Sequence, residues 1–285
     1  MNIPRTARRP VSRAATAAAL ATALGLGAVP AATAAAPATA PHAVRTPVAG
    51  PHGGWQQDGL RLKAADNRKV DAFVARARRA ERSISPQVRA VARISHAELV
   101  GFDQRLKSPD SLKRKVATWM HETPGQSVDT SLALINDAVR YTLQWPAGHY
   151  SQGVDTAAAL LSAWGNESTR WANTWHRTAG YKAINSAWRA PRSGQLFEVQ
   201  FHTPESKAAQ LQTHKLYEEE RLPGTPPERV RELQEQQNAI FAAVPVPAGA
   251  ERLTAPAHRV TDPSRHRPSP DPARRLPAPA HIPVG

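Results

Sequence analysis

The stretch "YKAINSAWRAPRSGQLFEVQFHT", residues 181–203, decides the fold. Two runs rich in apolar and β-branched residues flank "PRSG" at 191–194, and Pro, Ser and Gly are turn formers, so the spacing predicts a β-hairpin. Side chains alternate across a strand, which puts Phe197, Val199 and Phe201 on one face and Glu198, Gln200 and His202 on the other. The first face belongs to a core. The second is a polar stripe, either solvated or the floor of a cleft. Tyr181, between Gly180 and Lys182 at the mouth of the hairpin, is either a packed edge tyrosine or a platform for a nucleobase, since aromatic faces accept any base.

Working outward, "LALINDAVRYTLQW" (132–145) reads as a second β run, interrupted by Asp137 and Arg140 much as Glu198 interrupts the hairpin strand. "TRWANTW" (169–175) is a further strand, and "TAAALLSAWG" (156–165) a short helix closed by Gly165. Upstream, residues 67–122 are helical: Val70, Phe73, Val74 and Ala77 form one apolar stripe, and Val88, Val91, Ala92 and Ile94 another. A third helix starts in "KSPDSLKRKVATWM" (107–120), with Ser108 as N-cap, Pro109 at the first helical position and Asp110 in the first turn. Two more helices, "PESKAAQLQTHKLYEEERL" (204–222) and "PPERVRELQEQQNAIFAAV" (226–244), follow the hairpin. Helices, mixed strands and then helices argue one α+β domain over about residues 60–248, a mixed sheet flanked by helices.

The ends have a different character. Residues 1–40 hold four arginines, an apolar Ala/Leu stretch too short to span a bilayer and Ala-x-Ala sites, the three-part pattern of an export signal cleaved between about residues 34 and 40. Residues 252–285 are Pro-rich and basic without apolar periodicity, so a disordered tail is expected. Much of the net charge of +14 sits in these ends. The mature protein is expected to be extracellular, monomeric and free of the membrane. It has no cysteine, which excludes disulfide staples, thiol catalysis and cysteine-based zinc sites. No HExxH or GxSxG occurs, so zinc-protease and nucleophile-elbow chemistry have no motif here.

Charge concentrates around the third helix, at Arg105, Lys107, Lys113, Arg114 and Lys115, with Ser111 and Lys115 on one helical face. Such a run is either a solvated basic face or a cradle for a polyphosphate at a helix N-terminus. Asp137 and Glu198, if they lie on neighbouring strands, could share a hard cation such as Mg²⁺, which takes few protein oxygens and leaves positions for substrate phosphates.

Taken in order, these segments resemble the synthetase domain of the RelA/SpoT alarmone family. "RLKSPDSLKRKV" (105–116) is similar to its ATP-phosphate segment, "INDAVRYTL" (135–143) to its metal-aspartate strand, "RTAGYKAIN" (177–185) to its acceptor segment, and "FEVQFHT" (197–203) to its Glu-x-Gln strand. "HKLYEEER" (214–221) matches the helix that follows. The resemblance implies a nucleotidyltransferase-like fold and transfer of pyrophosphate from ATP, with Mg²⁺ as cofactor. It implies ATP contacts at Arg105, Lys107, Ser111, Lys115 and Arg140, and metal ligands at Asp137 and Glu198, with Glu198 as metal ligand, base or both. It implies acceptor contacts at Tyr181, Arg177, Asn185, Gln200 and His202. Three departures leave adenine and guanine acceptors both open: Asn185 stands where members usually carry histidine, His202 where they carry arginine, and the interval from Asp137 to Arg140 is short. The partners implied are ATP and a purine nucleotide. A tRNA 3′ end and noncatalytic polyanion binding are the rival readings.

Overall fold

The computed structural model describes residues 48–50, 53–220 and 224–257; the expected export leader and residues 258–285 of the expected tail lie outside the described residues. The chain is α+β. It opens with a small antiparallel sheet of β1 (Val48–Gly50), β2 (Gly54–Gln57) and β3 (Leu60–Leu62). The β2–β3 connection is the two-residue turn Asp58-Gly59, both residues with positive φ, the geometry that an Asp-Gly pair favours between twisted strands. Trp55 and Leu62 are buried, and the Trp55 indole N–H donates to Asp110 at 3.2 Å. The packed chain therefore starts earlier than residue 60.

Helix α1 (Ala64–Ile94) is one continuous 31-residue helix, and the two apolar stripes are successive parts of its single buried face. Ile94, expected in the second stripe, is exposed at the helix end. Pro86 lies inside this helix. Strand β4 (Glu98–Val100) follows, then a 3₁₀ turn at Phe102–Gln104 and α2 (Pro109–Glu122). The Ser108 hydroxyl caps α2 by accepting from the Ser111 N–H at 3.1 Å, as its start signal predicts.

The β run expected over 132–145 divides. Leu132 and Ala133 belong to a short helix α3 (Val128–Ala133), capped by Ser127, and only β5 (Arg140–Gln144) is strand. Asp137 is thus in the connection ahead of the strand, not on it. Helix α4 (Tyr150–Ala163) is longer than its apolar run predicts, and β6 (Glu167–Asn173), β7 (Ile184–Arg189) and β8 (Leu196–His202) complete the main sheet. Its order is β4-β5-β8-β7-β6, antiparallel except for the parallel pair β5–β8. The expected hairpin is β7–β8, closed by a turn in which the Ala190 N–H donates to the Gln195 carbonyl at 3.0 Å.

Helices α5 (Pro204–Glu220) and α6 (Pro227–Ala242) follow. The first is opened by a reciprocal cap: the Ser206 N–H donates to the Thr203 hydroxyl and the Thr203 N–H to the Ser206 hydroxyl, each at 3.2 Å. The packed chain also runs past residue 248. Ala250 and Leu253 are buried, and the Trp171 indole N–H donates to the Leu253 carbonyl at 3.2 Å, so Arg252 and Leu253, expected as the start of the tail, belong to the fold. Phe197, Val199 and Phe201 are fully buried as alternation predicts. Glu198, Gln200 and His202 are buried too, because β8 is a central strand covered on both faces. Among the described residues no helix is long and apolar enough to cross a membrane.

Candidate active site

The site is assembled at one end of the parallel pair. Residues 105–107 run antiparallel beside 138–140: the Arg140 N–H donates to the Arg105 carbonyl at 2.8 Å and the Lys107 N–H to the Ala138 carbonyl at 3.1 Å. On the other side the Glu198 N–H donates to the Val139 carbonyl at 2.9 Å, and Arg140 and Glu198 are register partners. Backbone pairing alone therefore gathers the basic segment, Asp137, Arg140 and Glu198.

The side chains close this arrangement. Lys107 Nζ lies 2.7 Å from one carboxylate oxygen of Asp137 and Lys115 Nζ 2.8 Å from the other. Burial pushes the Asp137 carboxyl up, but the two ammonium groups together override it and hold its pKa down at about 2. Glu198 has the opposite balance. Burial raises its pKa, Arg140 opposes that, and the nearby charge of Asp137 adds to the rise. The Gln200 amide, next on the same face of β8, also favours the ionised form of Glu198, and its oxygen accepts from the Thr142 hydroxyl at 3.4 Å. Two carboxylates, one held firmly ionised and one with a raised pKa, thus lie close to three cations at this end of the sheet.

The basic run itself is partitioned. Lys107 and Lys115 face Asp137, whereas Lys113 pairs with Asp71 at 2.8 Å and Arg114 with Asp58 at 3.0 Å, tying α2 to α1 and to the β2–β3 turn. Arg105 points elsewhere: its Nε donates to Glu81 at 2.5 Å, and its guanidinium lies 4.2 Å from the Phe102 ring centroid. Glu81 also accepts from Ser85, whose hydroxyl is 2.8 Å from that of Tyr141, so a buried network on α1 holds Arg105 beside the site. Sequence reading passed over Glu81, although an acid among Ala77, Ala80 and Ile84 on a buried helical stripe is the same signal that marked Glu198. Ser111 is exposed on the first turn of α2 and accepts from the Ser108 hydroxyl at 2.8 Å.

Of the residues expected to contact an acceptor, Asn185 and His202 meet at Tyr181. Its hydroxyl donates to Asn185 at 3.0 Å and lies 2.8 Å from His202 Nε2, and its ring meets Phe241 of α6 edge-on with centroids 5.6 Å apart. His202 is fully buried, with Nδ1 2.8 Å from the Ser206 hydroxyl, and burial lowers its pKa to about 3, so the ring is neutral. Both its nitrogens are engaged internally. Through Nε2 it holds the Tyr181 hydroxyl in place. Arg177 is exposed on the loop ahead of β7, and Lys182 anchors that loop by donating to the Arg177 and Trp175 carbonyls. Lys207 on α5 is a further cation, missed in the sequence; burial and Arg140 both depress its pKa, and it donates to Gln210 at 2.7 Å.

Among the described residues no cluster of three or more His, Asp or Glu side chains is placed to hold a metal. Asp137 and Glu198 are the two carboxylates that would be available to Mg²⁺ here, an ion that commonly takes one or two protein carboxylates and completes its octahedron with water and phosphate oxygens.

No family model matches the chain, and a search of curated proteins finds no match. Solved structures do. The protein smu.1046c from Streptococcus mutans UA159 is 14% identical over 60% of this chain and 89% of its own, with a TM-score of 0.44. Small alarmone synthetase 1 from Bacillus subtilis, bound to its product pppGpp, is 14% identical over 61% of this chain and 90% of its own, at TM-score 0.41. A GTP pyrophosphokinase family protein from Streptococcus pneumoniae is 14% identical over 63% and 88%, at TM-score 0.41. The structural neighbours of this chain thus include a small alarmone synthetase and a GTP pyrophosphokinase family protein, at low sequence identity.

Proposed function

We propose that this chain is an exported pyrophosphotransferase that moves the β,γ-pyrophosphate of ATP to the 3′-hydroxyl of a purine nucleotide, giving products such as pppApp. The reading resembles the secreted streptomycete nucleotide 3′-pyrophosphokinase. The observation that carries it is the meeting of Lys107, Lys115 and Arg140 with Asp137 and Glu198 at one end of β5 and β8. Transfer of a phosphoryl-type group requires chiefly positioning and charge stabilisation, and this end of the sheet offers both. Lys107 and Lys115 bind the donor phosphates when they exchange Asp137 for them. Arg140, exposed at the start of β5, adds charge where the transferred group sits. Mg²⁺, held by Asp137 and Glu198, would polarise the phosphate oxygens and offset charge on the departing AMP. Tyr181 stacks the acceptor base, and Glu198 serves as metal ligand, as base for the attacking hydroxyl, or as both.

The test incubates the mature protein with ATP, Mg²⁺ and each purine nucleotide in turn and resolves products by mass. AMP together with a nucleotide heavier by one pyrophosphate is the expected result. Absence of both with every acceptor would refute the reading.

A further inference from the structure

A second basic site lies on the α1 side of the main sheet. A cleft of about 600 Å³ opens between α1, the end of α3 and the β7–β8 turn. Its rim carries Arg76 and Arg79, three residues apart on α1, and Arg189 and Arg192 from the hairpin end; no Asp or Glu lines it. Arg189 is the one rim residue with an ionic partner among the described residues, Glu167 at 3.4 Å. Arg76 rests 5.7 Å from the Phe73 ring centroid. The floor is apolar, built by Phe73, Leu132, Ile135 and Leu196. None of these residues belongs to the Asp137–Glu198 centre.

We propose that this cleft binds a small phosphorylated organic anion of nucleotide size, carrying at least two phosphate groups. Three features select that class. Guanidinium groups present a planar fork that matches phosphate oxygens bidentately, and four on one rim exceed what a single carboxylate would need. The apolar floor takes a flat or aliphatic moiety that inorganic phosphate lacks. The volume falls within the span of small-molecule sites, roughly 300–1,000 Å³. The cleft also shares chain with the active centre: Ile135 precedes Asp137 by two residues and Leu196 precedes Glu198 by two. A ligand seated there touches both segments that carry the carboxylates.

The experiment uses ADP as probe on the mature chain and on the double variant R79A/R192A, with circular dichroism to confirm that the variant is folded. Hydrogen exchange reads the β7–β8 turn, residues 192–196, and calorimetry reads affinity. ADP is expected to protect that turn in the parent and not in the variant. Its affinity at that site should fall about a hundredfold, the scale set by two lost charge-assisted bonds. Adenosine should give no protection, and pyrophosphate weaker protection than ADP. Unchanged protection in R79A/R192A, or no protection of the turn by ADP in the parent, would overturn the assignment. So would a single-stranded RNA that binds more tightly than ADP and is lost in the same variant, since it would make the rim a nucleic-acid surface. These outcomes do not depend on the transferase reading. An inactive protein whose turn ADP protects keeps this site and loses that function.

Discussion

Replacing Asp137 by Asn removes one charge from a nearly buried position and leaves its volume unchanged. Lys107 and Lys115 hold its carboxylate at 2.7 and 2.8 Å, and with burial opposing them they bring its pKa from 3.8 to about 2. That fall corresponds to about 2.5 kcal/mol favouring the folded, ionised form. Because the folded-state value is the lower one, the contribution is complete above the unfolded value of 3.8 and is lost as pH falls through about 2. Urea unfolding of Asp137→Asn against the parent should therefore show a deficit of about 2.5 kcal/mol near neutral pH, shrinking to about half that near pH 3. Binding supplies an independent reading of opposite sign. With Asp137 neutral, both lysines are released, so metal-free tripolyphosphate should bind more tightly to Asp137→Asn than to the parent, while pyrophosphate transfer is lost. A variant as stable as the parent at neutral pH, or a deficit that ignores pH, would refute the double clasp.

Four further outcomes follow from the same geometry. Glu198→Gln should abolish product yet stabilise the fold at neutral pH: a carboxyl whose folded pKa is raised favours folding when protonated, and that benefit fades as pH rises through the folded value, as denaturant titrations would record. Glu81→Gln, by loosening Arg105, should raise the KM for ATP roughly tenfold with kcat little changed, the signature of lost uniform binding. Tyr181→Phe keeps the ring and should retain acceptor affinity, whereas Tyr181→Ala should raise the acceptor KM about tenfold or more and leave that of ATP alone; equal effects of the two would assign the residue to its hydrogen bonds. His202 is held neutral, its pKa lowered by burial from 6.5 to about 3, so it costs stability as pH falls from about 6.5 toward 3. His202→Gln should flatten that part of the acid limb and leave the Asp137 window below it.

What the sequence by itself determined is what local physics determines. Alternation over Phe197–His202 and the turn residues at 191–194 specify the hairpin, and the Ser108-Pro109-Asp110 start specifies α2. The polar residues of β8 were legible as one face, but their burial was not, because burial depends on β8 being central in the sheet and on α5 meeting His202 through Ser206. The Asp58-Gly59 turn was a local signal passed over, as was Glu81. Tertiary structure alone decided the rest. Parallel pairing of β5 with β8 places Arg140 opposite Glu198, and a bridge between Leu106 and Val139 brings the basic segment to Asp137. The same packing sends Lys107 and Lys115 to Asp137 but Lys113 and Arg114 to Asp71 and Asp58. Five neighbouring cations look alike in sequence; which of them meet Asp137 is decided by helical direction and by acids that lie far away along the chain.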